Sequence, residues 1–463
     1  MEAELAFAGI ARLAEFLREG RVSAVELAEG FLGRIEALEP RLNAFRAVYR
    51  ERALAEAAQA DARLRAGDTR LLLGVPIAVK DNVDIAGEAT GYGSRSPRQA
   101  PTADAEVVRR LRSAGAVILG KTHLPELAIF PFGESAAWGV TRNPWRADRT
   151  SGGSSSGSAV AVAAGLAAGA LGSDGGGSIR IPSACCHLFG IKPQRGRISL
   201  APFDEHWFGL SVLGPITRTV MDAAVFLDAV ADQPAPSFVD AAGGSPARLR
   251  VAVSLKAPVP GTPVSEAVKR PVRELADLLR ALGHEVVDHD PDYGETRHLF
   301  TPLWLRGIHD DTRTLVEDPS QLERRTRQMA AAGRLVGSSA VTRARAGADA
   351  LAERLQRSTF ADFDVLLTPA LAKLPVNTGR WEGRNAVRTT LGVGMFVPFN
   401  QVWNVTGQPA ASIPCGLTDD GIPLAVQMVG RANGEDTLIA LAAQVERERP
   451  WAHRTPPLVT RDS

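Results

Sequence analysis

Residues 152–178 read GGSSSGSAVAVAAGLAAGALGSDGGGS. Two clusters of glycine and serine, Gly152–Ser158 and Gly172–Ser178, flank Ala159–Leu171, which is built only of Ala, Val, Gly and Leu. Glycine permits positive φ and close approach of backbone to a ligand. Consecutive exposed N–H groups in such a turn form a concave anion site. Hydroxyls set among them suggest a nucleophile beside an oxyanion hole. A flexible linker would be more polar. Side chains this small predict a buried helix packed closely against a sheet.

Outward from this stretch the chain alternates helix and strand. Upstream, Leu13, Phe16 and Leu17 share one helical face, and Val25, Leu27, Phe31 and Ile35 share another, with Ser23 as N-cap. Glu51–Ala66 predicts a third helix. Leu71–Lys80, LLLGVPIAVK, reads as a strand entering a core with Lys80 at its end. Glu106–Ala114 predicts a helix and Ala116–Leu119 a strand, which is α/β grammar. Downstream, the alternation continues: helices at Val220–Ala231, Ser265–Leu282 and Asp436–Glu446, and strands at Leu249–Ser254, Glu285–Asp288, Asp364–Leu367, Gln408–Cys415 and Pro423–Gly430. Residues 310–360 are rich in Ala and Arg and helical in propensity. Gln233–Pro246 is the nearest thing to a linker, and a surface loop within one large domain is the simpler reading.

The chain has 463 residues, enough to bury a large core without disulfides or metals. Its net charge of +1 implies no attraction to nucleic acid or a membrane surface. Three cysteines, Cys185, Cys186 and Cys415, form no disulfide framework and fit a reducing compartment. No metal-ligand spacing is present, so no metal and no cofactor is expected. Glu2 and Glu4 precede any basic residue, the wrong flank for a secretory signal. The longest apolar run is too short to span a bilayer. A cytoplasmic protein is expected, with a homodimer left open.

Lysine occurs six times, at 80, 121, 192, 256, 269 and 373, among 53 basic residues. Arginine stays protonated in a protein, whereas a buried lysine can lose its proton. A retained lysine therefore marks a place where arginine would fail, although drift accounts for Lys256 and Lys269. Lys80, Ser154 and Ser178, in that order, suit a base, a relay and a nucleophile. A serine hydroxyl needs a base, and none of the eight histidines lies in a recognisable base motif. Burial lowers a lysine pKa toward neutrality, and the apolar strand before Lys80 offers such a site.

The chain resembles the amidase signature family. The residues that carry the resemblance are GVPIAVKDN at 74–82, TRNPW at 141–145, GGSSSGSAVAVAAG at 152–165, GSDGGGSIRIPSA at 172–184, GIKP at 190–193 and GPITRT at 214–219. TGQPAASIP at 406–414 and PLAVQMVG at 423–430 match the family's C-terminal strands. The resemblance runs over roughly residues 5–450. It implies a single α/β domain, 1–463, with a mixed-to-parallel central sheet between helices. Within it would lie a helical N-terminal segment (3–66), a catalytic core (70–232) and a C-terminal substrate-pocket region (233–450). By position it implies Lys80 as the catalytic lysine, Ser154 as the relay serine after a cis peptide bond, and Ser178 as the acylated nucleophile. It implies backbone N–H groups of Gly175, Gly176, Gly177 and Ser178 as the oxyanion hole, with Asp174 and Arg180 as a structural ion pair. The activity implied is hydrolysis of a small or aryl/acyl linear amide to an acid and ammonia or an amine. Three positions depart from the family pattern. Gly175 stands where Thr or Ile is common and would loosen the loop. His187 replaces a usual Gly, and Gln194 replaces a usual Thr or Ser.

Other readings compete. Gly153–Gly157 fits GxSxG, which would make Ser155 an α/β-hydrolase nucleophile, but that elbow requires an apolar strand before it, and Arg146–Thr150 is none. Within the family, the alternative is the glutamine-hydrolysing A subunit of a tRNA-dependent amidotransferase. The arginines at 324, 325, 327, 334, 343 and 345 would then touch a partner or RNA, whereas a solvated helix face is the plainer account. The segment Leu127–Ala137 looks more like that of family amidases. Phe130, Phe132, Trp304, Phe399 and Trp403 are candidates to line an apolar acyl pocket, as are Trp207, Phe208 and Phe396, while core burial accounts equally for any one of them.

Overall fold

Fully apolar strands buried on both faces are the signature of a sheet covered by helices, and the chain supplies several. The structure is a computed structural model and describes residues 1–232 and 237–459. Its strands are β1 (Phe45–Val48), β2 (Pro76–Lys80), β3 (Val117–Thr122), β4 (Glu134–Ser135), β5 (Gly139–Val140), β6 (Gly169–Asp174), β7 (Phe189–Lys192), β8 (Val212–Thr217), β9 (Arg250–Val253), β10 (Glu285–Asp288), β11 (Val365–Pro369), β12 (Ala410–Leu417) and β13 (Pro423–Gly430). β4 and β5 form a small hairpin, and the other eleven make one sheet in the order β1-β3-β2-β6-β8-β7-β12-β13-β11-β9-β10. β2, β3, β6, β7 and β8 are buried at every residue.

The result is a single α/β domain around a mixed sheet. β3-β2-β6 and β11-β9-β10 are parallel triplets. Every other neighbouring pair is antiparallel. The centre is therefore less parallel than expected. β12 and β13 are sequential strands that turn straight back on each other, and β7 and β8 also pair antiparallel. β7 pairs with β12, so one sheet runs across the expected boundary between residues 70–232 and 233–450. Helices Arg50–Arg65, Ser156–Ala163, Val220–Val230 and Glu266–Ala281 pack against it.

Local signals explain most boundaries. Helix Ala24–Leu42 opens on Ser23 with a reciprocal Ser23–Glu26 capping box. Val220–Val230 opens on the same device, Thr219 with Asp222. Three expectations need correction. The apolar run after Gly157 is not one helix: it holds helix Ser156–Ala163, a turn, and β6. Leu71–Val75 precedes β2 as turns, because Gly74 at φ +80 bends the chain there. The segment Gln233–Pro246 falls partly outside the described residues, and the rest contains a short helix, Phe238–Gly243.

Candidate active site

Lys80 ends β2, beside β6 in parallel register with Val79 opposite Leu171. That register sends its side chain toward Ser173 near the end of β6. Lys80 Nζ donates to Ser154 Oγ at 2.7 Å and to Ser173 Oγ at 2.8 Å. Asn82 Nδ2 donates to the same Ser173 hydroxyl at 3.0 Å. Lys80 is fully buried. Burial pushes its ammonium well below the ordinary lysine value, and only the Asp174 carboxylate pulls the other way.

Ser154 precedes helix Ser156–Ala163, and the Gly153–Ser154 peptide is cis. A side chain at Gly153 would place its Cβ 2.6 Å from Phe132 N, so only glycine fits. Ser155 N–H donates to the carbonyl of Ser178 at 3.2 Å, which ties the two glycine–serine clusters together. Ser155 Oγ is turned away, donating to Ser173 O at 3.1 Å. With no strand before it and its hydroxyl committed to backbone, Ser155 lacks the geometry of a nucleophile elbow.

β6 ends at Asp174, and Gly175–Ser178 turns into the short helix Arg180–Cys186. Asp174 is fully buried and accepts from Gly177 N–H (2.6 Å), Ile179 N–H (3.1 Å), Arg180 Nε (3.0 Å), Arg180 Nη2 (2.9 Å) and Asn404 Nδ2 (2.8 Å). Burial opposes its charge, but the Arg180 guanidinium and these donors overcome it and hold the carboxyl well below the usual range. Arg180 also donates to Gln427 Oε1 at 2.8 Å and Asn404 Oδ1 at 2.8 Å.

This network alters the expected oxyanion hole. Gly177 N–H is spent on Asp174, so it is not a free donor. The N–H groups of Gly175, Gly176 and Ser178 have no acceptor among the described residues. Gly177 is instead the hinge of the turn. Its φ is +118, and an added Cβ would lie 2.6 Å from both Asn400 Cβ and Ile181 Cδ1. Gly175 is not loose, because a Cβ there would lie 2.9 Å from the Trp207 ring. The glycine makes room for that indole.

Ser178 and Gly176 open onto a cavity of about 280 Å³. Phe130, Trp304 and Trp207 are among the residues that line it. Phe132, Phe399 and Trp403 do not. Phe132 stacks between Phe130 and Trp381 with centroids 5.2 and 5.0 Å away. Trp403 packs edge-on to Tyr293 at 6.0 Å, and Phe399 belongs to a small cluster with Ala257 and Ala372. Phe396 is likewise core, and Phe208 does not line the cavity. The sequence reading missed Phe300, Leu391, Met395 and Gln401. Only the helical spacing of Leu391 and Met395 could have pointed to them.

His187 is not in the cavity. It sits at φ +58 after the short helix, the left-handed conformation that glycine adopts most easily, with its ring 5.1 Å from Trp145. Burial pushes its imidazole down to about 3. Gln194 Oε1 accepts from Asn433 N–H at 3.2 Å. Arg325 departs from a solvated face: its guanidinium lies over Phe130 and Phe132 at 5.2 and 4.9 Å and pairs with Glu323 at 2.7 Å. One other constellation has the right residue types. His206 Nδ1 meets Ser211 Oγ at 2.8 Å and His206 Nε2 meets Asp311 at 3.1 Å. His206 and Ser211 line a cavity of about 40 Å³, which Asp311 does not line.

No group of His, Cys, Asp or Glu among the described residues is arranged to hold a metal ion, and no helix among them is long and apolar enough to cross a membrane. The protein-family profile described as Amidase matches residues 26–439. A Mycobacterium tuberculosis protein named "Putative amidase AmiB2" is 54% identical over 458 residues, covering 98% of each chain. The solved structure of 6-aminohexanoate cyclic dimer hydrolase complexed with substrate is 30% identical, with a TM-score of 0.90 over 98% of this chain and 99% of that one. Native peptide amidase from Stenotrophomonas maltophilia is also 30% identical, with a TM-score of 0.80 over 97% and 98%.

Proposed function

The chain belongs to the amidase family, and from that premise we propose that it cleaves linear carboxamides through an acyl-Ser178 intermediate. Amide C–N hydrolysis is the activity of the family. The linear substrate, the roles of the residues and a cytoplasmic setting are our reading.

The observation that carries it is a fully buried lysine, depressed by desolvation, whose Nζ lies 2.7 Å from Ser154 Oγ. Neutral Lys80 takes the Ser154 proton while Ser154 takes that of Ser178, and Ser178 Oγ attacks the carbonyl carbon. The oxyanion is held by the free N–H groups of Gly175, Gly176 and Ser178. Ser154 then protonates the departing nitrogen, because an amine leaves poorly as an anion. Water cleaves the acyl ester by the same relay and regenerates Ser178. Asp174 and Arg180 hold the loop and take no part in proton transfer.

Full-length similarity to a protein named an amidase supports a free-standing hydrolase over the glutamine-hydrolysing A subunit. The free thiols of Cys185 and Cys186 support a reducing compartment. A fluorophosphonate should label Ser178, located by mass spectrometry. Ser178→Ala should lose both labelling and turnover of a linear amide panel. Labelling at Ser155, or turnover of a cyclic diamide with none of the linear panel, overturns the reading.

A further inference from the structure

The active-site cavity carries an imbalance that hydrolysis alone does not explain. Its wall beyond Ser178 is apolar through Phe130, Phe300 and Trp304. Arg297 is its one charged lining residue among those described. Arg297 is exposed and makes no ion pair with any described residue. It is also the first residue of the 18-residue helix Arg297–Thr314, whose first turn holds no acidic residue. A helix N-terminus carries partial positive charge, so a cation there is electrostatically misplaced unless an anion joins it. Glu295, just before the helix, does not line the cavity.

A second observation points to the same ligand. Thr296, the N-cap, also lines the cavity and is only 8% exposed. Its side chain makes no cap hydrogen bond, and its hydroxyl has no partner among the described residues. Thr296 O takes the N–H groups of Leu299 and Phe300, while those of Arg297 and His298 have no acceptor. The rest of the residue is buried while this unpartnered oxygen stays accessible, so it is free to donate to a ligand in the cavity.

We propose that Thr296 Oγ1, the Arg297 guanidinium and the free Arg297 N–H bind a substrate carboxylate. The substrate class is then an amide whose apolar acyl chain ends in a carboxylate. This rests on the reading of Ser178 as nucleophile. The acyl side is assigned because the acyl group stays on Ser178 through both half-reactions, so a grip on it serves acylation and deacylation alike. An apolar spacer matches the aromatic wall, and Leu391 and Met395, 64% and 38% exposed at the rim, cover its outer part.

The test compares the monoanilide of glutaric acid with the anilide of hexanoic acid, which has equal length and no charge. The wild-type protein should prefer the glutaric anilide in kcat/KM, and that preference should weaken as salt screens the charge. Arg297→Gln should lower the ratio about tenfold, as loss of a charge-assisted hydrogen bond does. Arg297→Lys should restore part of it, and Thr296→Val should lower it by a smaller factor. A ratio near one in the wild-type protein, or one unchanged by Arg297→Gln, overturns the proposal. The same pair measured by calorimetric binding to Ser178→Ala reads the anion site without turnover. Failure of fluorophosphonate labelling, by contrast, strikes the nucleophile assignment alone.

Discussion

Replacing Asp174 with alanine should destabilise the protein by about 3–5 kcal/mol, the range for stranding one partner of a buried ion pair. Five donors converge on this carboxylate, and neither it nor Arg180 is exposed. The substitution removes the counter-charge of Arg180, whose remaining acceptors, Asn400 O, Asn404 Oδ1 and Gln427 Oε1, are neutral. It also frees the N–H groups of Gly177 and Ile179, which flank Ser178. The assay is urea denaturation at neutral pH, read as a shift in midpoint at unchanged m. Arg180→Met added to Asp174→Ala should recover part of the loss, because the stranded charge disappears. The sign with pH follows from the depressed carboxyl. Its stabilisation is present above the unfolded carboxylate value and is lost only as pH falls toward the folded value, which lies well below the usual range. A loss under about 1 kcal/mol in the single variant, or a double variant less stable than it, refutes the reasoning.

Gly177→Ala should abolish fluorophosphonate labelling of Ser178, since φ +118 and two 2.6 Å contacts leave no room for a Cβ; labelling at the wild-type rate would count against the turn as described. Because burial lowers the Lys80 pKa, its neutral form dominates from a lower pH, so kcat/KM should rise with pH and level off well below the ordinary lysine value of 10.5. A limb that titrates near 10.5 would argue against a desolvated base. Lys80→Arg should be inactive at every pH that keeps the fold, because guanidinium does not deprotonate. Ser155→Ala should still be labelled at Ser178, since the Ser155 hydroxyl serves the Ser173 backbone; loss of labelling in a folded variant would reopen the elbow reading.

Much of the fold was legible because its signals are local. The N-cap at Ser23 and the apolar run ending at Lys80 depend on a few neighbours, and the structure shows Ser23 bonded reciprocally with Glu26; Thr219 opens its helix by the same device, which the sequence reading did not name. Misreadings occurred where a long-range partner decides. Ala159–Leu171 offers the same small side chains to a helix and to a strand. The split falls where Gly165, at φ +66, ends the helix and β6 finds β2 and β8. Strand β1 was missed because its four residues gain their pairing only from β3, some seventy positions on. The pocket was half legible for the same reason. Aromatic type marks a residue as large and apolar, but whether Trp304 faces the cavity while Trp403 faces Tyr293 is decided by how distant helices pack.

The lysine count carried further than the aromatic count, and the contrast has a physical basis. Lys80, Lys121 and Lys192 are all fully buried, whereas arginine fills nearly every exposed basic position in a chain with six lysines among 53 basic residues. A buried cation must either be paired or be able to become neutral. Lys121 takes the first course, with Asp81 at 3.0 Å and Thr90 at 2.8 Å. Lys192 donates to Pro193 O at 2.8 Å, and burial followed by nearby Arg180 brings it down to about 7. Lys80 meets only hydroxyls and a carbonyl, and it alone adjoins the serine cluster that opens on the cavity. Burial therefore picks out three lysines, and contact with the hydroxyls of the glycine–serine clusters, with no carboxylate in hydrogen-bond reach, picks out one. That second criterion is geometric, which is why the order Lys80, Ser154, Ser178 could suggest the relay from sequence but only the folded chain could join its first two members.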